Sequence, residues 1–506
     1  MKETKFVFNT LVALSTLLGV ACASAPQASV GEQRVEATPN SEAPASARSK
    51  PSMTLMPNVW MDSGSRYPAH DPYNAGQLIP QAESWIAVNP NNPNNIIASA
   101  VYWGEVLRGP PAEANSRGTG GATLASLDGG RTWTRVSTPP FARYNLRVAF
   151  SRRYGDAYRY GGGGRVLPWI DVQRSGDKGL TWISHHTERV VEGFRTIDTD
   201  QGNMVVDNWP DSPFYGRIYL APHNYRFWYN DARGAPQAWQ ASERPFTSSG
   251  TVLTSGFEVL PDGTVALAFR KYERNTKNDW ELHVYLVLSS DGGKTFTAPR
   301  HMVQLDFNRF APPADSGRVF YSGVGTENKA SFTTDPSSGR LYCTYVKRVD
   351  GLHRIFAISS SDKGITWSAP VAVSTSSRTS NQYQHRAAVI DLGELGVLWL
   401  DTRHNPGDTG YDAYFATSDD RAQTFREVRL SERSSKPAWD FRQHQLPREK
   451  WVVPGFDARR HLTGGDYIGL RADPAGDFVM TWPDARNENR QQMYFSKVSF
   501  ARYNHR

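Results

Sequence analysis

Ser126-Leu127-Asp128-Gly129-Gly130-Arg131-Thr132-Trp133 is a stretch that returns along the chain. It comes back as Ser175-Gly176-Asp177-Lys178-Gly179-Leu180-Thr181-Trp182, as Ser289-Ser290-Asp291-Gly292-Gly293-Lys294-Thr295-Phe296 and as Ser360-Ser361-Asp362-Lys363-Gly364-Ile365-Thr366-Trp367. A worn copy, Ser418-Asp419-Asp420-Arg421-Ala422-Gln423-Thr424-Phe425, has alanine where the others carry glycine. Serine and aspartate oxygens accept hydrogen bonds from nearby backbone amides, glycine supplies a positive-φ position, and the ring at the end re-enters an apolar layer. Such a unit is a turn that satisfies its own polar groups, so its aspartates are structural and poor candidates for catalysis. The Asp-Gly-Gly run also suggests calcium, but the EF-hand spacing and its closing glutamate are missing. No metal and no cofactor is expected.

A second repeat lies out of phase with the first, as apolar alternation on both sides of a Pro/Asp/Gly turn. Trp85-Ile86-Ala87-Val88-Asn89-Pro90 leads to Ile96-Ile97-Ala98, and Phe257-Glu258-Val259-Leu260-Pro261-Asp262-Gly263-Thr264-Val265-Ala266-Leu267 has the same form. Thr334 to Tyr342 and Arg471 to Val479 repeat it, with looser versions around Asp207 and Asp391. Each hairpin precedes a serine-aspartate turn or the place where one should be. Hairpin, third strand, turn and fourth strand make the four-stranded blade of a propeller.

The turns resemble the Asp-box, S-x-D-x-G-x-T-W, of the BNR repeat found in sialidases and other β-propellers. An all-β propeller with these turns between third and fourth strands is the implied fold. The boxes begin at 126, 175, 289, 360 and 418, and the long gap between 175 and 289 holds about two periods, with the hairpin Asp207 to Leu220 inside it. After the worn box only the hairpin Tyr467 to Trp482 and the strand Met493 to Val498 remain. The last blade is therefore one strand short, and Met53 to Met61 is the natural donor to close the ring and cover the exposed edge. The tally is seven blades, or six if two segments merge.

Lys2 and Lys5 precede an apolar run from Phe6 to Ala21, too short to remain in a bilayer and of the form of a secretory signal. It ends at Leu18-Gly19-Val20-Ala21-Cys22, which resembles the bacterial lipobox and implies lipidation of Cys22, with Gly19 in the place usually held by leucine. Cleavage near Ala23 and plain secretion are the alternative. Residues 1–22 thus read as a signal, 23–52 as an Ala/Ser/Pro-rich tether unable to bury enough surface to fold, and 53–506 as one propeller domain. The chain of 506 residues carries 57 basic and 50 acidic side chains with no Lys/Arg block, which excludes a nucleic-acid footprint. Two cysteines exclude a disulfide framework and a multi-cysteine zinc site. A monomer touching a membrane only through its anchor is expected.

In sialidase-type propellers the boxes lie opposite the substrate, which implies that loops after each second strand and before each first strand carry any chemistry. Those loops repeat Trp399-Leu400-Asp401-Thr402-Arg403 as Trp482-Pro483-Asp484-Ala485-Arg486. Arginine, carboxylate and aromatic side chains suit an acidic, hydroxyl-rich glycan, because guanidinium grips carboxylate with two prongs. The same pairs could instead be salt bridges fastening the scaffold. The resemblance carries an arginine onto Arg270, after the Asp262-Gly263 turn, and a nucleophilic tyrosine onto Tyr467. It places a third arginine at Arg348 and an acid at Glu105. It departs at the early F/Y-R-I-P element, where Glu83-Ser84-Trp85-Ile86 stands, and at the tyrosine's glutamate partner, where Thr254 stands. A tyrosine needs a neighbouring base to become a nucleophile. The expected catalytic set is Arg270, Tyr467, Asp401 and Asp484, with Arg348, Arg403, Arg486 and Glu105 on substrate. The implied activity is an exo-glycosidase of acidic sugars, and the alternative is a non-catalytic propeller binding glycan or protein.

Overall fold

Period-two apolar alternation broken by Gly, Asp and Pro turns builds antiparallel strands, and strands that bury both faces must be covered on both sides. The computed structural model describes residues 52–66, 69, 76, 78–79, 81–103, 119–136, 144–162, 170–186, 203–221, 227–242, 252–306, 330–374, 380–437, 465 and 467–500. Glu105 and Cys22 lie outside them. β1 (Met53–Leu55) and β2 (Val59–Trp60) come first. Blade I is β3 (Gln81–Asn89), β4 (Asn92–Trp103), β5 (Thr119–Ser126) and β6 (Thr134–Val136). Blade II is β7 (Tyr144–Phe150), β8 (Ala157–Gly162), β9 (Ile170–Ser175) and β10 (Ile183–His186); blade III is β11 (Asn203–Val206), β12 (Ile218–Ala221), β13 (Trp228–Asn230) and β14 (Trp239–Ala241). Blade IV is β15 (Val252–Val259), β16 (Val265–Arg274), β17 (Trp280–Ser289) and β18 (Arg300–Leu305). Blade V is β19 (Ala330–Thr334), β20 (Leu341–Val349), β21 (Leu352–Ser360) and β22 (Val371–Ala372). Blade VI is β23 (Gln382–Val389), β24 (Leu395–Asp401), β25 (Asp412–Ser418) and β26 (Arg426–Arg429). Blade VII is β27 (Gly469–Ala472), β28 (Phe478–Asp484) and β29 (Gln492–Phe500).

Every pairing within a blade is antiparallel between neighbours in sequence. Blade VII takes its outer edge from the start of the chain: Met53 pairs with Phe500 and Leu55 with Val498, while Val59 pairs with Phe495. The first strands contact one another in the order β3, β7, β11, β15, β19, β23, β27 and back to β3, which closes a ring about a central axis. Seven blades are present, all-β, and no α-helix occurs among the described residues. The core is distributed the same way. Seven buried apolar clusters each straddle one seam between adjacent blades, from Trp85, Ile97 and Phe150 at the I–II seam to Phe415, Phe478 and Trp482 at the VI–VII seam.

The repeated turns join third to fourth strands in blades I, II, IV, V and VI. In blade I, Ser126 Oγ donates to Asp128 Oδ1 at 2.8 Å and accepts from Gly130 N at 2.9 Å, while Thr132 donates from N and Oγ1 to the same carboxylate. Burial pushes Asp128 up, but the Thr132 and Ser126 hydrogen bonds outweigh it and hold the carboxyl below its usual range. Gly179 of the blade II turn has φ +91, and a Cβ there would sit 2.5 Å from Ile97 of blade I. The glycine thus serves the backbone and the seam together. The worn copy keeps the geometry without it: Ala422 has φ 67 and its N donates to Ser418 Oγ at 2.9 Å. Blade III has no box, yet Asn230 Oδ1 accepts from Ala232 N and Gly234 N at 2.8 and 3.0 Å, the bonds a box serine would accept. Cys343 is buried at the IV–V seam, where burial pushes its thiol up to about 12 and keeps it unreactive.

Candidate active site on the propeller axis

The inner strands do not run regularly. β3 shifts register between Ala82 and Trp85, and β23 between Tyr383 and Arg386. At the two bulges Glu83 and Gln384 take φ 57 and 47, a left-handed conformation that costs a non-glycine residue roughly 1–2 kcal/mol. The two segments, Gln81-Ala82-Glu83-Ser84-Trp85 and Gln382-Tyr383-Gln384-His385-Arg386, are cognate. Gln81 Oε1 accepts from Met493 N and Gln382 Oε1 from Ile355 N, each on the third strand of the preceding blade. Each bulge is thereby anchored across a seam, and the residue two places on is turned out of the ladder.

Glu83 meets the tyrosine picked out by the sequence. Tyr467 Oη donates to Glu83 Oε2 at 3.2 Å, just ahead of β27. Gln384 Nε2 donates to the carbonyl of Gly465, and a Cβ on Gly465 would strike Glu83 Cγ, so only glycine fits between the bulge and the tyrosine. Arg147, from β7, lies over the Tyr467 ring with Cζ 4.1 Å from its centroid, and Trp85 meets the same ring edge-on at 6.4 Å. The guanidinium lies on the electron-rich face of the ring as a cation–π contact. Strands β3 and β7 and the segment just ahead of β27 thus bring a carboxylate, a cation and a tyrosine together.

Deeper along the axis, Arg386 and Arg471 join Arg147 around the indole of Trp85, with Cζ atoms 4.3, 5.0 and 4.7 Å from the ring. Glu258 of β15 faces them, 3.9 Å from Arg471. Burial, then Arg471 and Arg147 against the opposing pull of Glu258, push Arg386 down to about 9. Burial lifts Glu258 above the usual carboxylate range despite Arg471 and Arg386.

The W-x-D-x-R loops lie elsewhere. Arg403 donates to Asp401 Oδ2 and to Glu427 Oε1 of the outer strand β26, both at 2.7 Å, with Cζ 3.9 Å from the Tyr414 centroid. Arg486 donates to Asp484 Oδ2 at 2.7 Å and to Asn58 Oδ1, between β1 and β2, at 2.8 Å, and lies over Tyr494. Asp401 and Asp484 are fully buried, and each also accepts from its own tryptophan, Trp399 or Trp482. Burial works against the Arg403 charge, but Asp401 and Glu427 more than restore it and hold the guanidinium above its ordinary value. These loops fasten second strands to outer edges.

Arg270 is buried on β16, opposite Leu253 and Val284. Arg348 is exposed on β20, its N donating to Asp306 Oδ2 and its Nε to the carbonyl of Gly351. Thr254, in the expected place of the tyrosine's partner, donates to the carbonyl of Ala221. Tyr467, singled out in the sequence, is in this cluster. Glu83, Arg147, Arg386 and Arg471 were missed. The available signal was the paired Gln-x-[Glu/Gln] segments. No group of three or more metal-ligating side chains occurs among the described residues.

No protein-family model and no curated protein matches the chain. Solved structures do. A protein of unknown function from Dyadobacter fermentans is 13% identical over 89% of this chain and 99% of its own, with a TM-score of 0.44. The α-L-arabinofuranosidase Arb93A from Fusarium graminearum, solved with an iminosugar inhibitor, is 11% identical over 88% and 98% at 0.41. Trypanosoma rangeli sialidase is 14% identical at 0.41, covering 88% of this chain and 59% of the sialidase. Likeness at this level says nothing of activity, because one fold hosts many functions.

Proposed function

We propose that the chain is an exported, lipid-anchored propeller of BNR-repeat type that hydrolyses a terminal sugar of an acidic glycan, with Tyr467 as nucleophile and Glu83 as its base. The carrying observation is the 3.2 Å hydrogen bond from Tyr467 Oη to Glu83 Oε2 beneath the Arg147 guanidinium. Glu83 takes the phenolic proton as Oη attacks the anomeric carbon, and Arg147 stabilises the developing phenolate. The bond to the leaving oxygen breaks as that oxygen takes a proton from an acid, for which Glu105 is the sequence candidate. Water then attacks the glycosyl–tyrosine bond, giving its proton to the acid's conjugate base, and Tyr467 regains its proton from Glu83. Signal residues 1–22, Cys22 as the lipid site, the tether 23–52 and a monomeric state complete the proposal.

The second reading, a non-catalytic propeller binding glycan or protein, is favoured by the closure of the pair, since Glu83 is only 7% exposed. A panel of aryl sialosides, uronides and arabinofuranosides, given to the wild type, Tyr467→Phe and Glu83→Gln, separates the two. Turnover by the wild type that falls about 10²- to 10⁴-fold in both variants is expected. Glycan retention without turnover, unchanged in both variants, establishes the second reading.

A further inference from the structure

The axial arginines do a job that the Tyr467–Glu83 pair does not explain. Arg386 and Arg471 come from different blades, and among the described residues the carboxylate that faces them is Glu258, 3.9 Å from Arg471. Both guanidinium carbons lie within 5.0 Å of the Trp85 ring centroid, and Arg147 brings a third cation to the same ring. Trp85 is 4% exposed, and its Nε1–H finds no acceptor among the described residues. A buried donor without an acceptor and like charges gathered around one ring are both costly, and a negative group between the guanidinium groups relieves the second. Arg471 and Glu258 keep 22% and 25% of their side-chain surface.

We infer that the propeller axis holds a small anion, a halide or an oxyanion, between Arg386 and Arg471 against the indole of Trp85. The site ties inner strands β3, β23 and β27 together across the ring closure, and does not depend on whether Tyr467 and Glu83 turn over a sugar. Burial and neighbouring cations drive Arg386 down to about 9, yet a guanidinium does not release its proton in a protein, so the stress persists until an anion neutralises it.

The test uses the full chain. Sodium bromide is titrated from low salt while the thermal midpoint is followed in the wild type, Arg386→Gln and Arg386→Lys. A saturable rise of several degrees in the wild type, lost in Arg386→Gln and retained in part by Arg386→Lys, is expected. General salt effects act on all three alike. Diffraction at the bromine edge from wild-type crystals, which needs no variant, should place an anomalous peak within about 3.5 Å of both guanidinium groups. Loss of that peak on adding methyl glucuronide, but not its carboxamide, would mean that the anion is a ligand's carboxylate; persistence would mean an inorganic ion. An equal midpoint response in wild type and Arg386→Gln, or no peak on the axis, overturns the inference.

Discussion

Two sets of arginines in this propeller have opposite electrostatic fates. Arg403 and Arg486 each own a fully buried aspartate two residues earlier, lie on an aromatic ring and reach the outer edge of a blade, at Glu427 of β26 and at Asn58 between β1 and β2. Arg386 and Arg471 on the axis lie on one ring and have, among the described residues, one distant carboxylate between them. A repeated arginine whose charge is answered within its own loop is part of the scaffold. An arginine whose charge is answered incompletely, on the axis where seven inner strands meet, belongs to a site. The chemistry of the side chain is the same in both places, and only the partner differs.

That contrast can be broken by removing one arginine from each set. Arg403→Met strands Asp401, fully buried, and Glu427, and should cost about 3–5 kcal/mol in chemical denaturation. The turns supply an intermediate case. Ala422→Gly relieves a left-handed alanine in the worn box and should stabilise by about 1 kcal/mol, offset in part by the glycine's looser unfolded chain, with the same bonds from Ser418 and Asp420 retained. Arg386→Met, which removes a like charge from a crowded group, should change stability at low salt by less than about 1 kcal/mol in either direction. A loss at Arg386 equal to that at Arg403 would erase the distinction between the two sets.

The scaffold was legible because its rules are local. Ser-x-Asp turns satisfy their own polar groups within eight residues, so they can be counted, and the missing strand of blade VII followed from the count. Blade III was counted from its gap and its Asp207–Leu220 hairpin, but its turn went unread because Asn230 replaces the serine with a different side chain that accepts the same two amide bonds. The axial cluster escaped for another reason. Alternation assigns faces only while register is kept, and the bulges at Glu83 and Gln384 break it, so parity along β3 and β23 says nothing of which residue enters the channel. The repeat of Trp-x-Asp-x-Arg left scaffold and site equally open, because the deciding partners, Glu427 and Asn58, are distant in sequence from at least one of the loops they hold.

A crystal of Tyr467→Phe grown with a hydrolysis-resistant thioglycoside of an acidic sugar asks the central question most directly. The ring should lie on the axis, with its anomeric carbon facing residue 467 and Glu83 and no sugar density beside Arg403 or Arg486. A sugar seated against those edge arginines, or on the Ser-x-Asp turns at the opposite end, would contradict the account.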